Sequence, residues 1–224
     1  MEITLNFLKK LKKNNNRDWF QENKNEYQQS NEEMIVFAEQ LLERMDSFDK
    51  IETVSGKKSL FRIYRDVRFS KNKEPYKTNR SGSYRRAGDD RRGGYYFSIE
   101  PGNTMIGGGF YQPNKEDLER IRRHIEMDPS PLRKVLKEKG FKDFYGELLG
   151  EQLKSVPRGF DKEDPNIDLL RYKSFYTIHQ FTDNEVLADD FVEQVATGYE
   201  KILPYFEVMT DFLTTNLDGE SLIG

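Results

Sequence analysis

The chain has 224 residues, 35% apolar and 33% charged, with a net charge of −3 and no cysteine. That length suits one domain with a sizeable core, and the absent cysteines exclude disulfides, thiolate catalysis and sulfur-ligated zinc. The longest apolar run, Met34 to Ala38, is far short of a membrane span, and Met1-Glu2-Ile3-Thr4 leads into a Lys-rich stretch without an apolar signal core, so a soluble, cytoplasmic protein with no membrane partner is expected.

In chain order, Thr4 is placed to cap a short helix carrying Leu5, Leu8 and Leu11, which stops at Asn14-Asn15-Asn16, and Asn16 caps the next. From Arg17 to about Met45, Phe20, Tyr27, Met34, Phe37, Leu41 and Met45 recur mostly at helical spacing, predicting one long helix or two joined near Ser30-Asn31. Residues 1–48 thus read as a helical layer. Over 50–111 the period falls to two, with turn residues at Ser55-Gly56, Glu74-Pro75, Ala87-Gly88, Gly93-Gly94 and Pro101-Gly102-Asn103, which predicts antiparallel strands. Helices follow over 114–140, the first from Lys115 to Met127 and the second from Pro129 or Pro131 to Lys139, where Gly140 can end it. Residues 141–171 read as irregular, 172–181 as a strand, and 184–217 as one or two helices broken at Pro204. The expected fold is a single α+β domain over 1–224, with a central, mostly antiparallel sheet of about five or six strands and N-terminal, mid-chain and C-terminal helices.

Positive charge is local in this sequence. Residues 57–92 hold thirteen Lys and Arg against four Asp and Glu, a surplus of +9, so the remainder carries −12. Such a patch on an acidic body attracts anions to one place. Alternation in Phe61 to Phe69 puts Phe61, Ile63, Val67 and Phe69 on one face with Arg65, and Arg62, Tyr64, Asp66 and Arg68 on the other. The charged face is either a self-satisfied ladder or a clamp in which Asp66 orients the arginines toward a phosphate or carboxylate. Lys71, Lys73 and Lys77 bracket Pro75-Tyr76 in a segment that suits either a loop closing over an anion or a solvated loop.

A turn at Gly102-Asn103 would pair Ile99 with Ile106, Phe97 with Gly108 and Tyr95 with Phe110 as core. On the other face Tyr96, Ser98 and Glu100 then lie opposite Gly109, Gly107 and Met105. That is a groove where a ligand approaches bare backbone, or glycine covered by aromatics or a helix. His124 on a helix and His179 in a strand have no spacing that suggests a metal pair or a triad, and ordinary helix-surface and strand roles are expected for them. Trp19 reads as a core anchor. No acidic cluster marks a magnesium site. Arg171 and Lys173 at the mouth of a strand either complete the anion site or are its solvated end.

Several stretches resemble a bacterial family catalogued as domain of unknown function 2461. They are Asn15 to Phe20, Phe61 to Lys71 with Pro75-Tyr76-Lys77-Thr78, Gly94-Tyr95-Tyr96, Ile99 to Gly102, Gly108-Gly109 with Pro113, and Leu169-Leu170-Arg171 with Lys173-Ser174. The chain departs from the family pattern at Asn72 and Glu74, where aspartate and threonine are usual. The resemblance implies a single cytoplasmic domain and brings no activity, cofactor or catalytic residue with it.

The leading expectation is an uncharacterised soluble protein that binds a phosphorylated or polyanionic small molecule through Arg62, Arg65, Arg68, Lys73, Tyr76, Lys77, Tyr96, Gly107, Gly109 and Lys173. A hydrolase or transferase could be built there with Asp66 or Glu100 as general base. No metal or cofactor is implied. One alternative is a nucleic-acid-binding module in which Tyr64, Tyr76 and Tyr84 stack on bases, against which the acidic remainder counts. Another is a protein-interaction or scaffold role, the basic strip pairing with an acidic partner or a second copy.

Overall fold

In the computed structural model, which describes residues 1–223, the elements follow in the order α1 (Glu2–Lys13), α2 (Arg17–Glu22), α3 (Lys24–Met45), α4 (Gly56–Ser59), β1 (Arg80–Arg85), β2 (Gly94–Ile99), β3 (Thr104–Phe110), α5 (Lys115–Met127), α6 (Ser130–Lys137), α7 (Lys139–Tyr145), α8 (Ile167–Leu170), β4 (Phe175–Phe181), α9 (Asp183–Val186) and α10 (Phe191–Thr214). The fold is α+β, with one open antiparallel sheet in the order β1-β2-β3-β4. Four strands replace the expected five or six because pairing at both edges is fragmentary. Beside β1, Leu60 makes one bridge to Gly82. Beside β4, Leu149 and Gln152 make separate bridges to Tyr176 and Tyr172, and between them Gly150 has φ +150° with Ser174 O where a side chain would project. Extended backbone bulged at that point pairs without becoming a regular strand.

One compact unit comprises residues 1–84, 96–106 and 180–197. Helix α1 begins before Thr4, which is buried within it; the Thr4 N–H donates to the Glu33 carboxylate at 2.7 Å and its hydroxyl to Ser30 O at 3.2 Å. A carboxylate on α3 thus satisfies a first-turn donor that a local cap was expected to serve. Asn16 caps α2 as its sequence position implies, accepting from Trp19 N–H at 2.9 Å. The break between α2 and α3 falls at Asn23, whose amide turns back to Trp19 O at 2.8 Å, while Ser30 is interior to α3. Met34, Phe37, Ala38, Leu41 and Met45 line the buried side of α3, where Phe37 meets Phe97 edge-on and stacks on Phe191. Gly56 permits α4 to approach α3: a Cβ there would lie 2.3 Å from Glu39 N. In the β2–β3 turn, Asn103 N–H donates to Glu100 O at 2.9 Å and Gly102 has φ +73°. Pro101-Gly102 is therefore the central pair, one residue earlier than Gly102-Asn103, because proline suits the first central position and glycine the positive φ of the second.

The second unit comprises residues 85–95, 107–179 and 198–224, of which residue 224 lies outside the described residues. Tyr199, Ile202, Tyr205, Phe206, Met209 and Phe212 of α10 are buried. Gly93 and Gly108 leave room for the Phe206 ring, which a Cβ at either would meet at 3.1 and 2.9 Å. Pro204 lies inside α10 without ending it. Buried side chains on both sides of the proline hold the two halves of the helix in place, and packing outweighs one lost backbone bond. Gly140 likewise lies within α7 and does not terminate α6. His124 is buried, not on a helix surface, stacked on Phe212 with Nε2 3.3 Å from Thr215 O. His179 stacks on Phe144 with Nδ1 2.7 Å from Phe144 O.

Gly109 and Gly140 test how closely backbone approaches these positions. Gly109 has φ +137°, and a Cβ would lie 2.4 Å from Phe175 O; at Gly140 nothing lies within 4 Å. Gly109→Ala is expected to lower the unfolding free energy by more than about 2 kcal/mol, whereas Gly140→Ala raises it by about 0.5–1 kcal/mol, both read by urea denaturation.

Candidate functional site

The basic segment Phe61 to Phe69 is not a strand. Of its four alternating apolar residues only Ile63 is fully buried; Phe61 is 43% exposed and Phe69 96%. Ile63 and Tyr76 join Phe7, Leu8, Leu11 and Phe20 in one core cluster, in which Tyr76 stacks on Phe20 at 3.9 Å and 10°. Arg65 N–H donates to Pro75 O at 2.9 Å and Lys77 N–H to Ile63 O at 2.8 Å, either side of the Tyr64–Tyr76 bridge. Asn15 completes the arrangement. Its side chain accepts from Tyr76 N–H at 3.1 Å and donates to Tyr76 O at 3.0 Å, as a neighbouring strand would. Beyond Arg65 the chain turns on local side-chain bonds: Asp66 accepts the backbone N–H and guanidinium of Arg68, and Lys73 Nζ donates to Val67 O at 3.0 Å and Arg68 O at 3.4 Å. Such bonds compete with a sheet ladder, so the alternation read along 61–69 does not place its residues on two sheet faces.

Many of the candidate residues have their polar groups engaged. Arg68 lies 2.7 Å from Asp66, and these hydrogen bonds hold the Asp66 carboxyl below the usual range, which makes it a weak proton acceptor while paired. Arg65 lies 3.6 Å from Glu74. Glu100 accepts from Thr78 Oγ1 at 3.0 Å and Asn103 Nδ2 at 3.2 Å. Tyr76 is buried, and Tyr96 is half-buried on β2. Tyr84 is buried with its hydroxyl donating to Ala38 O at 2.7 Å. In the second unit, β4 occupies the space beside Gly107 and Gly109, whose Cβ positions would fall 2.3 Å from Thr177 O and 2.4 Å from Phe175 O. Lys173 lies there too, 2.5 Å from Glu151.

The positive window divides chemically. In the second unit Arg86 is paired with Glu207 at 2.8 Å, Arg91 with Asp90 at 2.9 Å and Arg92 with Asp117 at 2.6 Å. In the first unit Arg62, Lys77 and Arg80 make no ion pair among the described residues. Arg80, the first residue of β1, is 2% exposed. Its guanidinium donates to Asn31 Oδ1 at 2.7 Å and Phe61 O at 3.4 Å and lies 5.8 Å from the Tyr27 ring centre. Its Nε is the one buried side-chain polar atom without a hydrogen-bond partner among the described residues. Tyr27 and Asn31 sit one turn apart on α3 and so face the same way. Lys77 Nζ lies 5.6 Å from the Phe61 ring centre, linking it to the same residue that receives Arg80. Burial pushes the Lys77 ammonium below the usual lysine range, and Arg62 and Arg80 push it further. Burial also lowers Arg80, partly offset by Tyr27. Lys77 thus lies in the field of two other cations, while Arg62 also lies in the field of the Asp66 carboxylate without pairing with it.

Arg80, Tyr27, Asn31 and Asn15 were not among the sequence candidates. Arg80 is one of thirteen basics in its window, and no spacing separates it from the others; Tyr27 and Asn15 carry the signals of a helix face and a helix stop, and neither they nor Asn31 carry a signal of a binding role. Residues 3–207 match the family described as Conserved hypothetical protein (DUF2461). The chain belongs to that family. No curated protein and no solved structure matches it. In this DUF2461 chain, the stretches Asn15 to Phe20, Phe61 to Lys71 and Pro75 to Thr78 meet at the Tyr76 ladder and its aromatic core. Asn72 and Glu74 bond to each other, Asn72 Nδ2 to the Glu74 carboxylate and Glu74 N–H to Asn72 Oδ1, both at 2.9 Å. No helix among the described residues is long and apolar enough to cross a membrane.

Removing the Asn15 clamp leaves a buried N–H and C=O of Tyr76 without partners. Asn15→Ala is expected to cost about 1–3 kcal/mol of unfolding free energy in a urea titration. Asn15→Asp, which keeps the acceptor but sets a carboxylate against Tyr76 O, is expected to cost at least as much.

Proposed function

We propose that this DUF2461 chain binds a small phosphate-bearing or otherwise polyanionic ligand through Arg62, Lys77 and Arg80. The observation that supports this most is Arg80: a buried guanidinium with no acid and no partner for its Nε among the described residues. Burying a charge unpaired costs several kcal/mol, and a bound anion offsets that cost. The guanidinium fork suits two oxygens of one phosphate, Lys77 adds a point charge, and Arg62, exposed at the edge, draws the anion in. A small ligand is favoured over nucleic acid. Tyr76 and Tyr84 are buried, leaving Tyr64 as the one of the three tyrosines with ring surface for a base, and a body of net charge −3 repels a long polyanion. If the site performs hydrolysis or group transfer, its arginines would stabilise developing charge, and Asp66, within the field of Arg62, would act as base after release from Arg68.

Phosphate and pyrophosphate are expected to raise the melting temperature, and Arg80→Met to abolish that rise while changing ligand-free stability by less than about 1 kcal/mol. No shift with wild type, or an unchanged shift with Arg80→Met, would overturn the reading. Loss of the fold in Arg80→Met would mark Arg80 as structural.

The pH dependence follows from Lys77. Because its folded-state pKa is lowered, the unliganded protein gains stability as pH rises through that pKa. An anion favours the charged ammonium, so binding takes up a proton there and weakens over the same rise. Sulfate, which does not itself titrate near neutrality, is expected to show that weakening by calorimetry in wild type and not in Lys77→Met.

A further inference from the structure

The second unit holds a hollow of about 410 Å³ lined by Tyr111, Gln112, Pro113, Leu118, Glu151, Lys173, Ser174 and Tyr176. It lies within the size range of small-molecule sites. Three features distinguish it from an ordinary surface cleft. Tyr111 stands 71% exposed, edge-on to Tyr176 at 5.7 Å, so ring surface faces solvent. Gln112 has φ +50°, the one non-glycine residue with positive φ among the described residues, and its N–H donates to Ser174 Oγ at 3.0 Å. Backbone held in that region costs of order 1–3 kcal/mol and persists where surrounding structure enforces it. Ser174 is 4% exposed, and its hydroxyl accepts from Gln112 while its own proton has no acceptor among the described residues. A donor at the wall of a hollow is therefore unused.

The charged wall selects the ligand. Lys173 Nζ and a Glu151 carboxylate oxygen lie 2.5 Å apart, the Lys173 side chain partly exposed and that of Glu151 72% exposed. The pair is fixed by backbone: Gly150 lets the segment approach Ser174, and Lys173 N–H donates to Glu151 O at 2.7 Å. A ligand with one charge competes with this pair and leaves the other member to water. A ligand carrying both charges on adjacent groups replaces each partner and strands neither.

We infer that this hollow binds a free α-amino acid with a large apolar side chain. The α-carboxylate lies toward Lys173 and the Ser174 hydroxyl, the α-ammonium toward Glu151, and the side chain against Tyr111, Tyr176, Pro113 and Leu118. The inference stands apart from the anion site, since it uses none of Arg62, Lys77 or Arg80.

The test is calorimetric titration of the full chain with L-phenylalanine and L-leucine, then with the one-charge analogues of the tighter binder, for phenylalanine 3-phenylpropionate and phenethylamine. Saturable binding of at least one amino acid is expected, weakened ten-fold or more for each analogue and in each of Lys173→Met and Glu151→Gln. Lys173 is partly exposed and Glu151 exposed, and the melting temperatures of both variants check the fold. Arg80→Met is expected to bind the amino acid as wild type does, so failure here is distinguishable from failure of the anion site. Binding of neither amino acid, equal binding of a one-charge analogue, or undiminished binding by Lys173→Met would overturn the assignment.

Discussion

The seating of Tyr76 organises the region in which the candidate anion site lies. Its ring stacks on Phe20 and its backbone is held between Ile63–Arg65 and the side-chain amide of Asn15. Neither arrangement is a regular element. Together they tie residues 63 and 77, fourteen positions apart, to the first two helices, and they set the stems from which the loop 66–74 projects. Asn15 acts as a one-residue strand: an amide supplies both the donor and the acceptor that backbone at the edge of a ladder otherwise leaves open.

Pairing, more than counting, decides where the positive charge is available. The arginines of 86–92 are matched by Glu207, Asp90 and Asp117, and Arg65 and Arg68 by Glu74 and Asp66. Arg62, Lys77 and Arg80 have no such partner among the described residues, and one of them is buried. A solvated cation without an acid is ordinary, because water screens it. A buried one is not, which is why Arg80 carries more weight than the larger number of exposed basics around the loop.

Several elements were legible along the chain. The helix from Lys115 to Met127 matches its predicted ends, because Asn114 caps it, with a side chain that accepts from Asp117 N–H, and its apolar residues repeat at helical spacing. The cap at Asn16 was equally plain. Thr4 misled because its apparent capping role is taken by Glu33, twenty-nine positions away. Pro204 and Gly140 carry the local signal of terminators and end neither helix, since neighbouring buried side chains or an uncrowded first turn tolerate them. The alternation in 61–69 misled most. Period two signals a strand only if a neighbour accepts its ladder, and here Asp66 and Lys73 bond the backbone and side chains locally instead.

The order of residues by itself determined the class of fold, the local surplus of positive charge and the membership of a family, because these depend on composition and short-range pattern. Tertiary structure decided which cations lack acids, which glycines are covered by a strand, and where Tyr111, Ser174 and the Lys173–Glu151 pair enclose a hollow. Those outcomes depend on residues tens of positions apart meeting in space, and ionic pairing and burial are properties of that meeting.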